Sequence, residues 1–156
     1  MIELPPDCVQ RVRSGDVQAF EQLFLVMHKP LLAFAARFLG DLARAEELLQ
    51  DLFFELWRTR ADWRVSGSVP AYLYAAVRNR ALNIRRRDAV EARWTEEEGR
   101  EELRAISPSQ GADTLLEDAE RQAQLEAAIN RLPPRCALIM QMRWHGGLSY
   151  SEIAST

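Results

Sequence analysis

Apolar residues recur at intervals of three and four along most of this chain, with breaks where a glycine or proline meets an acid or hydroxyl, and that pattern predicts helices throughout. Pro5 to Arg13 reads as a short helix capped by Asp7, ended by Gly15-Asp16. A longer helix from Val17 toward Leu39 carries Phe20, Leu23, Phe24, Met27, Leu31, Phe34, Ala35 and Phe38 as a wide apolar stripe, with Pro30 midway. Gly40-Asp41 is the next stop and cap. Leu42 to Thr59 follows, with Leu48, Leu49, Leu52, Phe53, Leu56 and Trp57 inward and Glu46, Glu47, Gln50, Asp51 and Glu55 outward.

The next segment, Ser66 to Arg87, reads SGSVPAYLYAAVRNRALNIRRR and combines an apolar stripe with five arginines and no carboxylate. Ser68 suits an N-cap and Pro70 a first turn. Leu73, Ala76, Val77, Ala81 and Ile84 form the face to be buried; Arg78, Arg80, Asn83, Arg86 and Arg87 form the other. Trp63, Tyr72 and Tyr74 lie around the mobile Val65-Ser66-Gly67-Ser68 turn. Solvated helix faces ordinarily mix signs for i,i+4 pairing, so an acid-free cationic face beside aromatic rings points to nucleic acid, with bases stacking and arginines following the backbone.

Asp88 to Asp113 is acidic and broken by Gly99, Pro108 and Gly111, the texture of a linker that is helical at first and loose after Ile106. A capping box, Thr114 with Glu117, opens a segment running through Leu125, Ile129 and Leu132 to Pro133-Pro134. Arg135 to His145 is a further helix with Leu138, Ile139 and Met142 as its apolar side and Gly146-Gly147 as its stop. Ser149 and Glu152 then form a second capping box, and the short helix it opens is expected to fray for want of a packing partner. The fold class expected is all-α, in two small helical domains: residues 1–87, an acidic linker 88–113, and 114–156.

Composition narrows the function classes. The net charge of −3 is unevenly spread, and Lys29 is the only lysine, so arginine carries the positive charge. Cys8 and Cys136 are isolated, with no metal-ligand spacing near either, and suit a reducing cytoplasm. Leu31 to Leu39 is too short and interrupted to span a bilayer, so membrane insertion is not expected. An enzyme acting on nucleic acid needs paired carboxylates or a histidine beside the basic face. His28 lies in an apolar helix, His145 precedes a diglycine turn, and the adjacent Glu46 and Glu47 point to different sides. No catalytic residue, cofactor or metal site is expected.

Taken in order, these segments resemble the extracytoplasmic-function (ECF) sigma factors, the promoter-specificity subunits of bacterial RNA polymerase. GDVQAFEQLFLVMHKPLLAFAARFLGD is similar to the family's opening helix, ARAEELLQDLFFELWR to its polymerase-binding helix, SGSVPAYLYAAVRNRALNIRRR to its promoter-melting segment, and LEAAINRLPPRCALIMQMRWHGGLSYSEIA to the start of its second DNA-binding domain. The resemblance implies that Glu47, Gln50, Asp51 and Phe54 dock on a coiled coil of the largest subunit of core RNA polymerase, with Leu48, Leu52 and Phe54 as a buried, rigid neighbourhood. It further implies that the segment from Trp63 to Arg87 opens promoter DNA and holds the non-template minus-ten strand, a base flipping into a pocket near Ser66 to Tyr72. Tyr72, Asn79, Arg80 and Asn83 are the expected base and strand contacts, and Arg85, Arg86 and Arg87 the phosphate contacts. The linker would thread the polymerase RNA channel, and an anti-sigma factor would hold the chain inactive. Tyr72 stands where the family commonly has tryptophan, Asn83 where it often has aspartate and Ala75 where it is often basic, so a minus-ten preference does not transfer. The chain reaches only the first helix of the second domain's helix-turn-helix, which implies a factor shortened before the recognition helix that reads a minus-35 element. An interaction module that binds polymerase or an anti-sigma factor without directing initiation is the alternative.

Overall fold

Two aspartates set where the long helices begin. Asp16 accepts hydrogen bonds from the N–H groups of Gln18 and Ala19, at 3.0 and 3.1 Å, and Asp41 accepts from Ala43 and Arg44, at 2.8 and 3.3 Å. Each fills donors that a helix start leaves open. In the computed structural model, which describes residues 4–94, 124, 125, 127–129 and 131–156, the helices are α1 (Cys8–Arg13), α2 (Val17–Leu39), α3 (Leu42–Arg58), α4 (Val69–Trp94), α5 (Pro134–Trp144) and α6 (Tyr150–Ser155). A single 3-10 turn, Arg60–Asp62, joins α3 to the loop before α4. The regular structure among the described residues is all helical, as the patterning predicts.

α2 lies at the centre and packs on α3 and α4. Leu23, Met27, Leu31, Phe34 and Ala35 from α2 meet Leu48, Leu49, Leu52, Phe53 and Leu56 from α3, and Leu73, Val77 and Ala81 from α4, all buried. Burying each large side chain contributes about 1.5–3 kcal/mol, and this shared surface holds the three helices together. By length and composition alone α2 could cross a membrane, but its apolar stripe is the molecule's own core.

The structure differs from the sequence reading at several points. α1 starts at Cys8 rather than Pro5, and Asp7, although at its N-cap, makes no side-chain cap. α4 continues past Arg87 to Trp94, so Asp88 to Trp94 of the expected linker is helix; Asp88 is tied to Arg44 at the start of α3 by an ion pair of 2.8 Å. Residues 95–113 of that linker, and the capping box of Thr114 and Glu117, lie outside the described residues. On α5 the buried positions are Ala137, Gln141 and Met142, while Ile139 is exposed. α6 is formed, closed by the Ser149–Glu152 capping box, and Ile153 packs on the core.

Tyr74 is the largest correction. It is fully buried, edge-on to Phe34 with ring centroids 5.0 Å apart, and therefore offers no face to a base. Its hydroxyl finds no hydrogen-bond partner among the described residues, and burial pushes its pKa up. A buried hydroxyl without a partner carries its desolvation penalty uncompensated. Tyr74→Phe is therefore expected to raise stability by about 1 kcal/mol, read as a higher urea midpoint at unchanged slope. A lower midpoint would show that the hydroxyl is satisfied.

Candidate nucleic-acid interface

Helical spacing places Tyr72, Asn79, Arg80, Asn83, Arg86 and Arg87 on one side of α4. Asn79, Asn83, Arg86 and Arg87 are exposed there, and no acid occurs from Val69 to Arg87 to neutralise them. Arg85 points elsewhere. It is half-buried, with its guanidinium 6.0 Å from the centre of the Phe38 ring on α2, so the structure separates it from the other two members of the arginine triplet. A triplet of consecutive residues cannot share one helix face.

At the foot of this face α3, the 3-10 turn and the start of α4 enclose a cavity of about 320 Å³, lined by Glu55, Leu56, Asp62, Trp63, Tyr72 and Arg80 among others. Trp63, only 5% exposed, forms its wall rather than an open stacking platform. The Trp63 and Tyr72 rings lie 6.0 Å apart at 60°, and Tyr72, 36% exposed, presents the accessible aromatic surface. The indole Nε1 of Trp63 is buried without a partner among the described residues, a donor left for something else to meet. Ser66 is exposed in the loop above, next to Gly67, whose φ of 92° favours glycine. Ser68 caps α4, its Oγ accepting the Ala71 N–H at 3.3 Å.

Arg80 is held where it is by a contact that sequence reasoning missed. Its guanidinium donates to Glu55 at 2.5 Å, and this hydrogen bond and charge hold the Glu55 carboxyl below its ordinary value. Glu55 reads in the sequence as one more acid on a solvated helix side. No local signal pairs residues 25 positions apart on different helices; only the packing of α3 on α4 does.

The other face of α3 carries the remaining candidates. Glu47, Gln50 and Asp51 are exposed, as expected. Phe54, read from sequence as part of a buried neighbourhood, is 69% exposed, whereas Leu48 and Leu52 are buried. A large aromatic held in water beside acids is an anchor-type surface. Groups of histidine, cysteine and carboxylate that could hold a metal ion do not occur among the described residues.

Residues 23–90, which span α2, α3 and most of α4, match the family described as Sigma-70 region 2. The chain is 30% identical over 155 residues to the RNA polymerase sigma-H factor of Pseudomonas aeruginosa, across 94% of this chain and 79% of that protein. It is 24% identical over 147 residues to the ECF RNA polymerase sigma factor SigK of Mycobacterium ulcerans, across 94% of this chain and 78% of that protein. The SigK factor of Mycobacterium tuberculosis matches at 24% over 151 residues, with the same two coverages. Helical core, cationic helix and overall likeness agree, and the chain belongs to the sigma-70 family of RNA polymerase sigma factors, in its extracytoplasmic-function group.

Proposed function

We propose that this chain directs core RNA polymerase to particular promoters and opens their minus-ten element, with catalysis left to the polymerase. The observation that carries this reading is the cavity bounded by Trp63, Tyr72 and Arg80 at the foot of an acid-free cationic face. Its opening presents an aromatic ring and a guanidinium, with an unsatisfied indole donor in its wall. That is the combination an unstacked base needs: a π-face, hydrogen bonds and a nearby phosphate partner. Asn79 and Asn83 continue the row with groups able to donate and accept toward bases, and Arg86 and Arg87 continue it with charge for the backbone. Ser66 would close over the captured base from the loop, and Arg85 would steady α4 against α2.

Glu47, Gln50, Asp51 and Phe54 would bind the coiled coil of the polymerase largest subunit, acids setting orientation and the phenyl ring supplying buried area. Residues 1–87 would thus serve as the core-binding and melting unit, 88–113 as an acidic tether through the RNA channel, and 114–156 as the beginning of the second DNA-binding unit. An anti-sigma factor would restrain the chain, in the cytoplasm where polymerase works.

A fluorescence-anisotropy titration of a forked promoter library, with and without core polymerase, tests the reading. Sequence-selective binding that depends on polymerase is expected. Tyr72→Ala should weaken strand binding by about 5- to 150-fold, the range that about 1–3 kcal/mol of stacking implies, with polymerase affinity unchanged. Polymerase binding without DNA selectivity would instead select the interaction-module alternative.

A further inference from the structure

Residues 134–155 do not stand clear of the helices that carry the site. Met142 and Leu148 are buried in the same apolar cluster as Leu73, Tyr74 and Val77 of α4, and the turn between α5 and α6 is seated on Tyr74. A Cβ at Gly146 would come within 2.6 Å of the Tyr74 ring, 2.6 Å of the Met142 carbonyl oxygen and 2.8 Å of the Leu148 side chain. Only glycine permits that approach.

Glu152 ties the same segment down from its other end. One carboxylate oxygen accepts from the Ser149 N–H and Oγ, at 2.8 and 2.7 Å, completing the capping box of α6. The other oxygen accepts the hydroxyl of Ser68, the residue that caps α4 and ends the Trp63–Ser66 loop. That hydrogen bond is the first cause holding the Glu152 carboxyl below its ordinary value. Gly146, Gly147 and Glu152 share with Gly67, Ser68 and Val69 the wall of an open cleft of about 730 Å³.

We propose that this contact is a reversible autoinhibitory closure, in which residues 134–155 pin the loop from Ser66 to Val69 in the free chain and must lift away before that loop can take up a DNA strand. The closed state goes beyond the promoter-opening reading, although the activity it restrains rests on that reading. Its reversibility follows from how little holds it: one charge-assisted hydrogen bond, worth about a ten- to hundredfold shift in an equilibrium, and a seat one glycine wide. The Tyr74 hydroxyl works against closure. It is attached next to the ring carbon that Gly146 abuts, and it regains water when the turn lifts. A partner that prefers the open form by a similar factor reverses the balance.

Two substitutions at Ser68 separate closure from helix capping, because aspartate and asparagine both cap well. Ser68→Asp sets a carboxylate against Glu152, while Ser68→Asn still offers it an N–H. Amide hydrogen exchange over residues 145–155 of the free chain should quicken about tenfold or more in Ser68→Asp and stay at the wild-type rate in Ser68→Asn. Unchanged exchange in Ser68→Asp, or equal quickening in both, overturns the closure. The functional half is read from the other side of the contact, with Gly146→Val and a fluorescent library of single-stranded DNA. The free variant should bind at least about tenfold more tightly than the free wild-type chain, and equal binding overturns the inhibitory role. If neither chain binds the strand even with core polymerase present, it is the promoter reading that falls, and the exchange measurement decides the closure alone.

Discussion

Arg80→Glu is expected to abolish promoter opening, with at least a hundredfold fall in open-complex formation scored by permanganate reactivity of unpaired thymines, while polymerase affinity stays at the wild-type level. The magnitude follows from two losses. A guanidinium beside a phosphate or base edge contributes about 1.5–3 kcal/mol, and a carboxylate in its place repels the strand it should hold. Because Arg80 also pairs with Glu55, the single variant disturbs the α3–α4 seam as well. The exchanged pair Glu55→Arg with Arg80→Glu removes that ambiguity: it restores opposite charges across the seam and keeps the wrong charge toward DNA. Its thermal midpoint should return toward wild type while promoter opening stays lost. Recovery of opening in the exchanged pair would reduce Arg80 to a structural residue.

Phe54→Asp should have an equally large effect on a different readout. The side chain is 69% exposed, so its removal should change folding stability by no more than about 0.5 kcal/mol. As the aromatic anchor of a docking surface it should cost the complex about 2 kcal/mol or more, a thirtyfold or greater loss of affinity for core polymerase. Asp51→Arg, one helical turn away, should act mainly on the association rate and on its salt dependence. Co-purification of polymerase with Phe54→Asp at wild-type yield would remove α3 from the docking role.

The helices and their ends were legible because their causes are local. Asp16, Asp41, Ser68 and the Ser149–Glu152 box each cap the helix that follows, and the three-and-four spacing on α2 and α3 names most of the buried residues. What spacing does not determine is which member of a rich apolar or aromatic segment turns inward. Tyr72 and Tyr74 are two residues apart, and only the packing of α4 on Phe34 separates a ring available to a strand from a ring in the core. Phe53 and Phe54 are adjacent and go opposite ways for the same reason. Contacts between distant parts of the chain left no trace at all: neither Glu55 with Arg80 nor Ser68 with Glu152 is prefigured by a motif, since each residue already has a sufficient local explanation.

The pairing of Arg80 with Glu55 has a consequence for life among chromosomal DNA. Every promoter competes with a vast excess of ordinary duplex, and non-specific attraction grows with each cation free to displace a counterion. A factor that keeps its most central arginine neutralised by its own carboxylate loses less of its population to that background. The charge becomes available only where a separated strand makes a better partner than Glu55, so discrimination between open and closed DNA begins in the resting protein.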